Sequence, residues 1–350
     1  MQNLLVLANK PFSSDFRKYL MRAAVSAGGR AAHIYFGDRL IFSKANGERS
    51  VFARDTHIGT IAHIVRGYLG DSSTVVLTGL GCTWSLLAFR LPSRIPNAIP
   101  VYDIYDDLLY DTTGVHRVAK WTLDRLWRRA THRQMILSTM LKSRYPHALH
   151  IRNASHAQGS QTQRASGTPL LVYVGSLDKR VDFSWLARLA QHDVRIDIWG
   201  RVHESFPDAE TSLSELCRQH MNVAFHGAYD NDDLDNILHR YDVGLIPYKI
   251  GHVMTDYINP DKMYHYLNAG LEVIATPIPS VMAHAEFVHV TPHGSDLTVA
   301  LDAVTANPKR QLWPVDDYRW DVRWEEIRQA LFGAAGFREC PAFPDISELY

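Results

Sequence analysis

Cysteine is scarce in this chain and badly spaced for any joint role. Cys82, Cys217 and Cys340 are the only three among 350 residues. No Cys-x-x-Cys pair occurs, which excludes a zinc ribbon or dithiol redox centre and points to free thiols in a reducing compartment. The 18 histidines include no His-Glu-x-x-His or comparable spacing, so no metal site is legible. No phosphate loop of the Gly-x-x-x-x-Gly-Lys type is present, and no Gly-x-Gly-x-x-Gly follows an apolar run. This disfavours an ATP loop or a dinucleotide fold. Net charge is missing too, because 37 Lys and Arg balance 37 Asp and Glu. No global field therefore draws the chain to nucleic acid or to a membrane. No apolar run approaches the length that spans a bilayer. The opening residues Met1 to Ala8 lack a basic leader and a cleavage site, so they read as a strand and the expectation is a cytoplasmic protein.

What is present is a long alternation of short apolar runs with helical patterns, over a length suited to two domains. That alternation is the signature of parallel α/β sheets. Strands are expected at 4–7, 32–36, 74–77, 101–104, 134–138 and 150–152, with helices at 13–27, 84–89 and 115–132. The first helix has Ser13, Ser14 and Asp15 as its expected cap. The region 38–63 reads less clearly and allows short strands. Residues 155–168 are polar and without periodicity, as a linker would be. A second series of strands is expected at 170–174, 195–199, 223–226, 243–247, 273–275 and 288–290, interleaved with helices at 182–190, 232–240, after Pro260, at 296–304 and at 320–331.

The run Asn259-Pro260-Asp261-Lys262-Met263-Tyr264-His265-Tyr266-Leu267-Asn268-Ala269-Gly270 carries the most chemistry. Pro260 suits a first helical turn, where a missing N–H costs nothing, and Asn259 is the expected N-cap. The free N–H groups and dipole of such a helix start attract a diphosphate, and Lys262 adds a full charge there. The plain alternative is a capped helix with a solvated lysine. Four further loops follow strands of the second series: Gly175-Ser176, Gly200-Arg201, His226-Gly227 and Pro247-Tyr248. Ligands of open α/β sheets bind at the carboxyl ends of strands, and glycine lets the backbone approach them. One such glycine alone is a turn residue. Their repetition, with Lys179 and Arg180 near a helix start and Lys262 beyond, describes a nucleotide-diphosphate pocket.

In the first half, Asp103, Asp106, Asp107 and Asp111 follow or close a buried strand. Adjacent carboxylates are costly in a core and natural in a cleft, where one can have a raised pKa and act as a general base. The alternative is a helix N-cap. Asp106 is the expected base, with Asp107 as substitute and Asp103 in a structural role. The helix at 116–133 is basic and carries Trp121 and Trp127. It suits an anionic membrane surface; a domain helix with one buried stripe and a solvated basic face is the alternative. Nucleic acid is the poorer partner, since no recognised motif accompanies the patch.

The segment from Asn259 to Gly270 resembles the Pro-x-Lys-x-x-Glu-Tyr-x-Ala-x-Gly donor helix of GT-B glycosyltransferases of the glycosyltransferase-4-like group. The resemblance extends over most of the chain. The strand to Ser138, then Leu141, then a strand to Asn153, is similar to the end of that group's first domain, and Tyr102-Asp103 with Asp106-Asp107 is similar to its first-domain acidic pattern. The resemblance implies an α/β GT-B fold, two Rossmann-like domains facing each other across a cleft. Residues 1–154 would bind the acceptor, 155–168 would link, 169–315 would bind a nucleotide sugar, and 316–350 would pack back on the first domain. It also implies donor contacts from Gly175, Ser176, Lys179, Arg201, Tyr248, Lys262 and Met263, with Tyr229 and Tyr248 flanking the base.

The implied reaction is sugar transfer from a nucleotide sugar, expected to be a UDP-sugar, to a carbohydrate or lipid-linked glycan acceptor in bacterial polysaccharide or glycoconjugate synthesis. No cofactor or metal is called for: Lys262, Lys179 and the helix start would neutralise the leaving diphosphate, and Asp230-Asn231-Asp232 reads as a helix cap. The chain departs from retaining members, which carry two glutamates eight positions apart. Here those positions hold Tyr257 and His265. An inverting mechanism with an aspartate base fits better and is similar to bacterial glucuronosyltransferases of the xanthan type. His265 is then a donor ligand or a structural histidine. If the acceptor is lipid-linked, the 116–133 helix would dock at the inner membrane. Two rivals remain: a sugar-nucleotide epimerase on the same fold, and a non-catalytic nucleotide-sugar or glycan-binding module.

Overall fold

The computed structural model describes residues 1–79, 86–105, 112–131, 133–156, 168–203, 206–292 and 294–333. Its first sheet contains β1 (Asn3–Ala8), β2 (Ala31–Phe36), β3 (Leu40–Lys44), β4 (Arg49–Phe52), β5 (Thr74–Gly79), β6 (Ala98–Ile104), β7 (Gln134–Ile136) and β8 (Leu149–His150), in the order β4-β3-β2-β1-β5-β6-β7-β8. Its helices are α1 (Arg17–Ser26), α2 (Ile58–Leu69), α3 (Leu86–Arg90) and α4 (Gly114–Thr131). All of β1 is buried, as an uninterrupted apolar strand covered on both faces should be. Alternate residues point to opposite faces. Leu5, Leu7, Ile34 and Val76 meet α2 on one side, while Leu4, Val6, Val75 and Leu77 meet α1 on the other.

The second sheet is parallel throughout, with β9 (Leu170–Val174), β10 (Arg195–Trp199), β11 (Val223–Gly227), β12 (Val243–Ile246), β13 (Glu272–Ala275) and β14 (His289–Val290) in the order β11-β10-β9-β12-β13-β14. Around it lie α5 (Phe183–Leu189), α6 (Pro207–Gln219), α7 (Leu234–Leu238), α8 (Val253–Tyr257), α9 (Asp261–Asn268), α10 (Pro279–Met282) and α11 (Leu297–Ala306). The order reverses at β9, between β10 and β12. This is the switch point where open α/β sheets leave a crevice. A final helix, α12 (Trp320–Phe332), returns to the first domain. There Trp320, Trp324, Ile327 and Leu331 join Leu4, Val6, Met21 and Ala24 in one core. Among the described residues no helix is long and apolar enough to cross a membrane.

Several expectations are corrected. The unclear region resolves into the antiparallel ladder β2-β3-β4 and the helix α2. Helix α6 was not expected, because its polar sequence buries only Ala209, Leu213 and Leu216. Of the expected cap only Asp15 serves: its Oδ1 accepts the N–H of Arg17, the first residue of α1, at 3.0 Å. Ser13 and Ser14 lie in a short turn over Phe12–Ser14. Asp15 is also drawn inward by the Arg17 guanidinium and His33, at 3.2 Å from each. Pro260, not Asn259, is the N-cap of α9. Asn259 ties the two domains together: its Nδ2 donates to the Leu137 carbonyl at 2.8 Å and its Oδ1 accepts from the Tyr264 hydroxyl at 2.9 Å.

Candidate functional site

The carboxyl ends of β9, β10 and β11 are stitched together by glycine backbones. Gly175 N–H donates to the Trp199 carbonyl at 3.0 Å, and Gly200 N–H donates to the Gly227 carbonyl at 2.7 Å. Gly175 has φ 131° and Gly200 φ 152°, conformations that favour glycine. A Cβ on Gly200 would lie 1.8 Å from the Gly175 carbonyl oxygen, so no side chain fits. A Cβ on Gly175 would lie 3.0 Å from Lys262 Nζ. The sheet edge is bare backbone because a lysine rests directly against it.

Lys262 lies in the first turn of α9 and is 5% exposed. Its ammonium donates to the Tyr248 hydroxyl at 2.5 Å, and it sits 4.7 Å from the Tyr248 ring centre and 5.1 Å from that of Tyr173. Among the described residues no carboxylate forms an ion pair with it. Asp178 and Asp261 act on it electrostatically but not in ion-pair contact, so a buried ammonium there still favours an arriving anion. The Tyr173 hydroxyl donates to the Ser176 carbonyl at 2.7 Å and so holds the Gly175-Ser176 loop in shape. Ser176 and Arg201 are exposed at the loop tips. The Lys179 ammonium lies 5.2 Å from the Phe206 ring centre. Arg180 is spoken for by Asp178, with contacts at 2.9 and 2.5 Å.

Two of the expected donor residues sit differently. Tyr248 is buried and its hydroxyl holds Lys262, so its ring does not flank an open base pocket. Met263 is wholly buried in the core of the second domain. Tyr229, by contrast, lines a pocket of about 500 Å³ beside Trp199, Asp230, Asp233 and Arg240. Burial pushes its hydroxyl pKa up, with the Asp261 carboxylate adding to the effect. Trp199 stacks on His226 at 4.5 Å and its indole N–H donates to the Tyr241 hydroxyl at 3.0 Å. Trp199 and Arg240 escaped the sequence reading. The one signal was the position of Trp199 immediately before Gly200.

The first domain faces this edge. Lys10 follows β1 and acts on Asp261 electrostatically. Crowding in the cleft opposes charge on Asp261, but His265, Lys262 and Lys10 outweigh it and hold the carboxyl below its usual range. His265 is the residue that the sequence resemblance set at a glutamate position of retaining members. Its Nδ1 is 2.8 Å from Ser155 Oγ, on the segment joining the domains, and burial pushes its pKa down. His156 lies 5.1 Å from His265, and burial with that neighbour lowers its pKa to about 4. Tyr257, the other position in that resemblance, packs against the first core under Arg144.

Asp103 is buried and pairs with Arg17 at 2.5 Å, a structural position. Burial raises its pKa, against the pull of Arg17. The Arg17 guanidinium lies 4.6 Å from the ring centre of Tyr105, the last described residue after β6. Asp106, Asp107 and Asp111 lie outside the described residues, as do 157–167 of the expected linker. Asp230 caps its turn by accepting the Asp232 N–H at 2.9 Å.

No family model matches this chain, and no curated protein does. Solved structures do. The chain is similar to Anabaena HepE in complex with UDP-glucose, with TM-score 0.64 at 12% identity over 93% of this chain and 98% of that one. It is similar to the lipopolysaccharide outer core galactosyltransferase WaaB, with TM-score 0.58 at 10% identity over 95% and 99% of the two chains. It is also similar to AviGT4, a glycosyltransferase involved in avilamycin A biosynthesis, with TM-score 0.60 at 12% identity over 94% and 96%. The fold is thus GT-B: two Rossmann-like α/β domains facing each other across a cleft.

Proposed function

We propose that this chain is a glycosyltransferase that moves a sugar from a UDP-sugar to a carbohydrate or lipid-linked glycan acceptor in bacterial polysaccharide or glycoconjugate synthesis. The observation that carries the reading is Lys262, a buried ammonium with no carboxylate in ion-pair contact among the described residues, set against the bare backbone of Gly175 at the switch point of the second sheet. A diphosphate gives the ammonium a direct partner there, and the dipole of α9 adds to the attraction. Lys179, Ser176 and Arg201 stand at the rim, and Tyr229 offers a wall for the base. The likeness to a protein solved with UDP-glucose supports the same donor class.

The mechanism is inverting. Asp106, or Asp107 in its place, takes the proton of the acceptor hydroxyl, and that oxygen attacks the anomeric carbon from the face opposite the nucleotide. The sugar–phosphate bond breaks, and Lys262 with the helix start stabilises the UDP that leaves. No metal or other cofactor enters. Replacement of both glutamates by Tyr257 and His265 supports this reading over a retaining one. The first domain receives the acceptor, and the basic face of α4 holds the enzyme at an anionic inner-membrane surface.

The test is a melting-temperature screen with UDP, GDP and their sugars, without added metal. UDP species should stabilise the protein, and Lys262→Met should weaken UDP binding by about 10- to 100-fold. Asp106→Asn should keep donor binding and lose transfer. No stabilisation by any nucleotide sinks the reading. Full turnover in both Asp106→Asn and Asp107→Asn removes the assigned base. Donor consumption without an acceptor would favour an epimerase.

A further inference from the structure

One turn of the second domain faces two ways. Tyr229, Asp230 and Asp233 line the pocket of about 500 Å³. Asn231 and Asp232, between them, reach instead to α1 of the first domain. There the Tyr19 hydroxyl lies 3.2 Å from the Asn231 carbonyl oxygen and 3.3 Å from Asp232 Oδ1. Lys18 Nζ is 3.1 Å from the same carboxylate, and Arg22 is 3.5 Å away. His156 stacks on the Tyr19 ring at 3.8 Å and donates from Nε2 to the Asn231 carbonyl at 3.1 Å. The turn is pre-shaped by the Asp230 cap and leads straight into α7. Lys18 is 2% exposed and also donates to the Ser13 carbonyl at 3.1 Å. It is a fixed charge, unlike the loose surface lysines whose ion pairs contribute little.

We propose that the 230–233 turn is a latch coupling occupancy of the pocket to closure of the two domains, with Asp232 as the positioning residue. The proposal rests on the reading of the pocket as a nucleotide site. A nucleotide seated against Tyr229, Asp230 and Asp233 packs on the capped turn and restrains it further. An ordered turn presents the Asn231 carbonyl and Asp232 carboxylate to α1 with less conformational freedom left to lose. Coupling of this kind is reciprocal, so the latch must also tighten the nucleotide. Closure keeps Lys10 and the carboxyl edge of the first sheet against Asp261 and His265, where acceptor and donor have to meet. Asp232 itself is not part of the pocket wall.

The experiment is calorimetric titration of UDP into the full chain, its Tyr19→Phe and Asp232→Asn variants, and the double variant, with small-angle scattering before and after UDP. Tyr19 belongs to the first domain, so a purely local role in the pocket cannot explain an effect of its hydroxyl. Each single variant should weaken UDP by about 5- to 20-fold. The double variant should be little worse than the weaker single one, because both changes break one latch. UDP should contract the wild-type protein more than either variant. Equal UDP affinity and equal contraction in all four proteins would overturn the latch while leaving the nucleotide site standing. Additive losses would overturn the single-latch account. Failure of UDP to bind the wild-type chain would overturn the nucleotide reading, and the latch with it. Unchanged urea midpoints in the variants separate these effects from misfolding.

Discussion

Burial sets the titration of the cleft histidines. His156 ionises at 6.5 in an ordinary setting and at about 4 here, chiefly because burial disfavours its charge and secondly because His265 is near. The unfolded chain therefore takes up a proton first as pH falls. The stability that neutral His156 contributes is complete above its unfolded pKa and is lost as pH drops toward about 4. His150, His265 and His284 are lowered by burial as well and act with the same sign. Between pH 6.5 and 5, urea unfolding should show a loss from His156 of about 1–2 kcal/mol, after discounting for its partial exposure. His156→Gln should flatten that part of the profile, and an unchanged slope would place the source elsewhere. At this scale the sequence was informative where a residue type has few uses. Lys262 after Asn-Pro and glycines after strands were legible for that reason. The roles of Tyr248 and Met263 were not, since a tyrosine or methionine serves a core as readily as a ligand.

Elements were legible in proportion to their periodicity. Helix α12 places Trp320, Trp324, Ile327 and Leu331 at spacings of four, three and four, one continuous apolar stripe. It buries that stripe in the first core although its chain neighbours belong to the second domain. Trp324→Ala should cost about 3–5 kcal/mol in urea unfolding; a loss below about 1 kcal/mol would mean that α12 only rests on the surface. Helix α6 was missed because it rests on the sheet by three apolar residues. The start of α9 was misplaced by one residue because Asn259 Nδ2 donates to the Leu137 carbonyl across the cleft while its Oδ1 accepts from Tyr264, further along α9. Local capping preference is worth about 1 kcal/mol, and these two side-chain hydrogen bonds outbid it.

On the scale of the whole molecule, neutral net charge conceals a local asymmetry. Helix α4 buries Asp124, Trp127 and Thr131. Its opposite face leaves Val115 83%, Val118 62%, Trp121 47% and Leu126 47% exposed, beside Arg125 and Arg129. Cations interleaved with exposed apolar side chains suit an anionic lipid surface. The chain should co-sediment with vesicles rich in acidic phospholipid and not with neutral ones. Trp121→Glu should weaken that binding about 10-fold. Equal partition to both vesicle types would argue against the membrane assignment.

Sequence alone was enough for the α/β class, the parallel second sheet and the helix after Pro260 that carries Lys262. These depend on local periodicity and on residue types with narrow chemistry. Which groups lie in the cleft was decided only by the tertiary structure. Tyr19 meets Asn231 across 212 positions of chain, and Ser155 meets His265 across 110. Burial, pairing and pKa arise from such contacts, and no short window of sequence contains both partners.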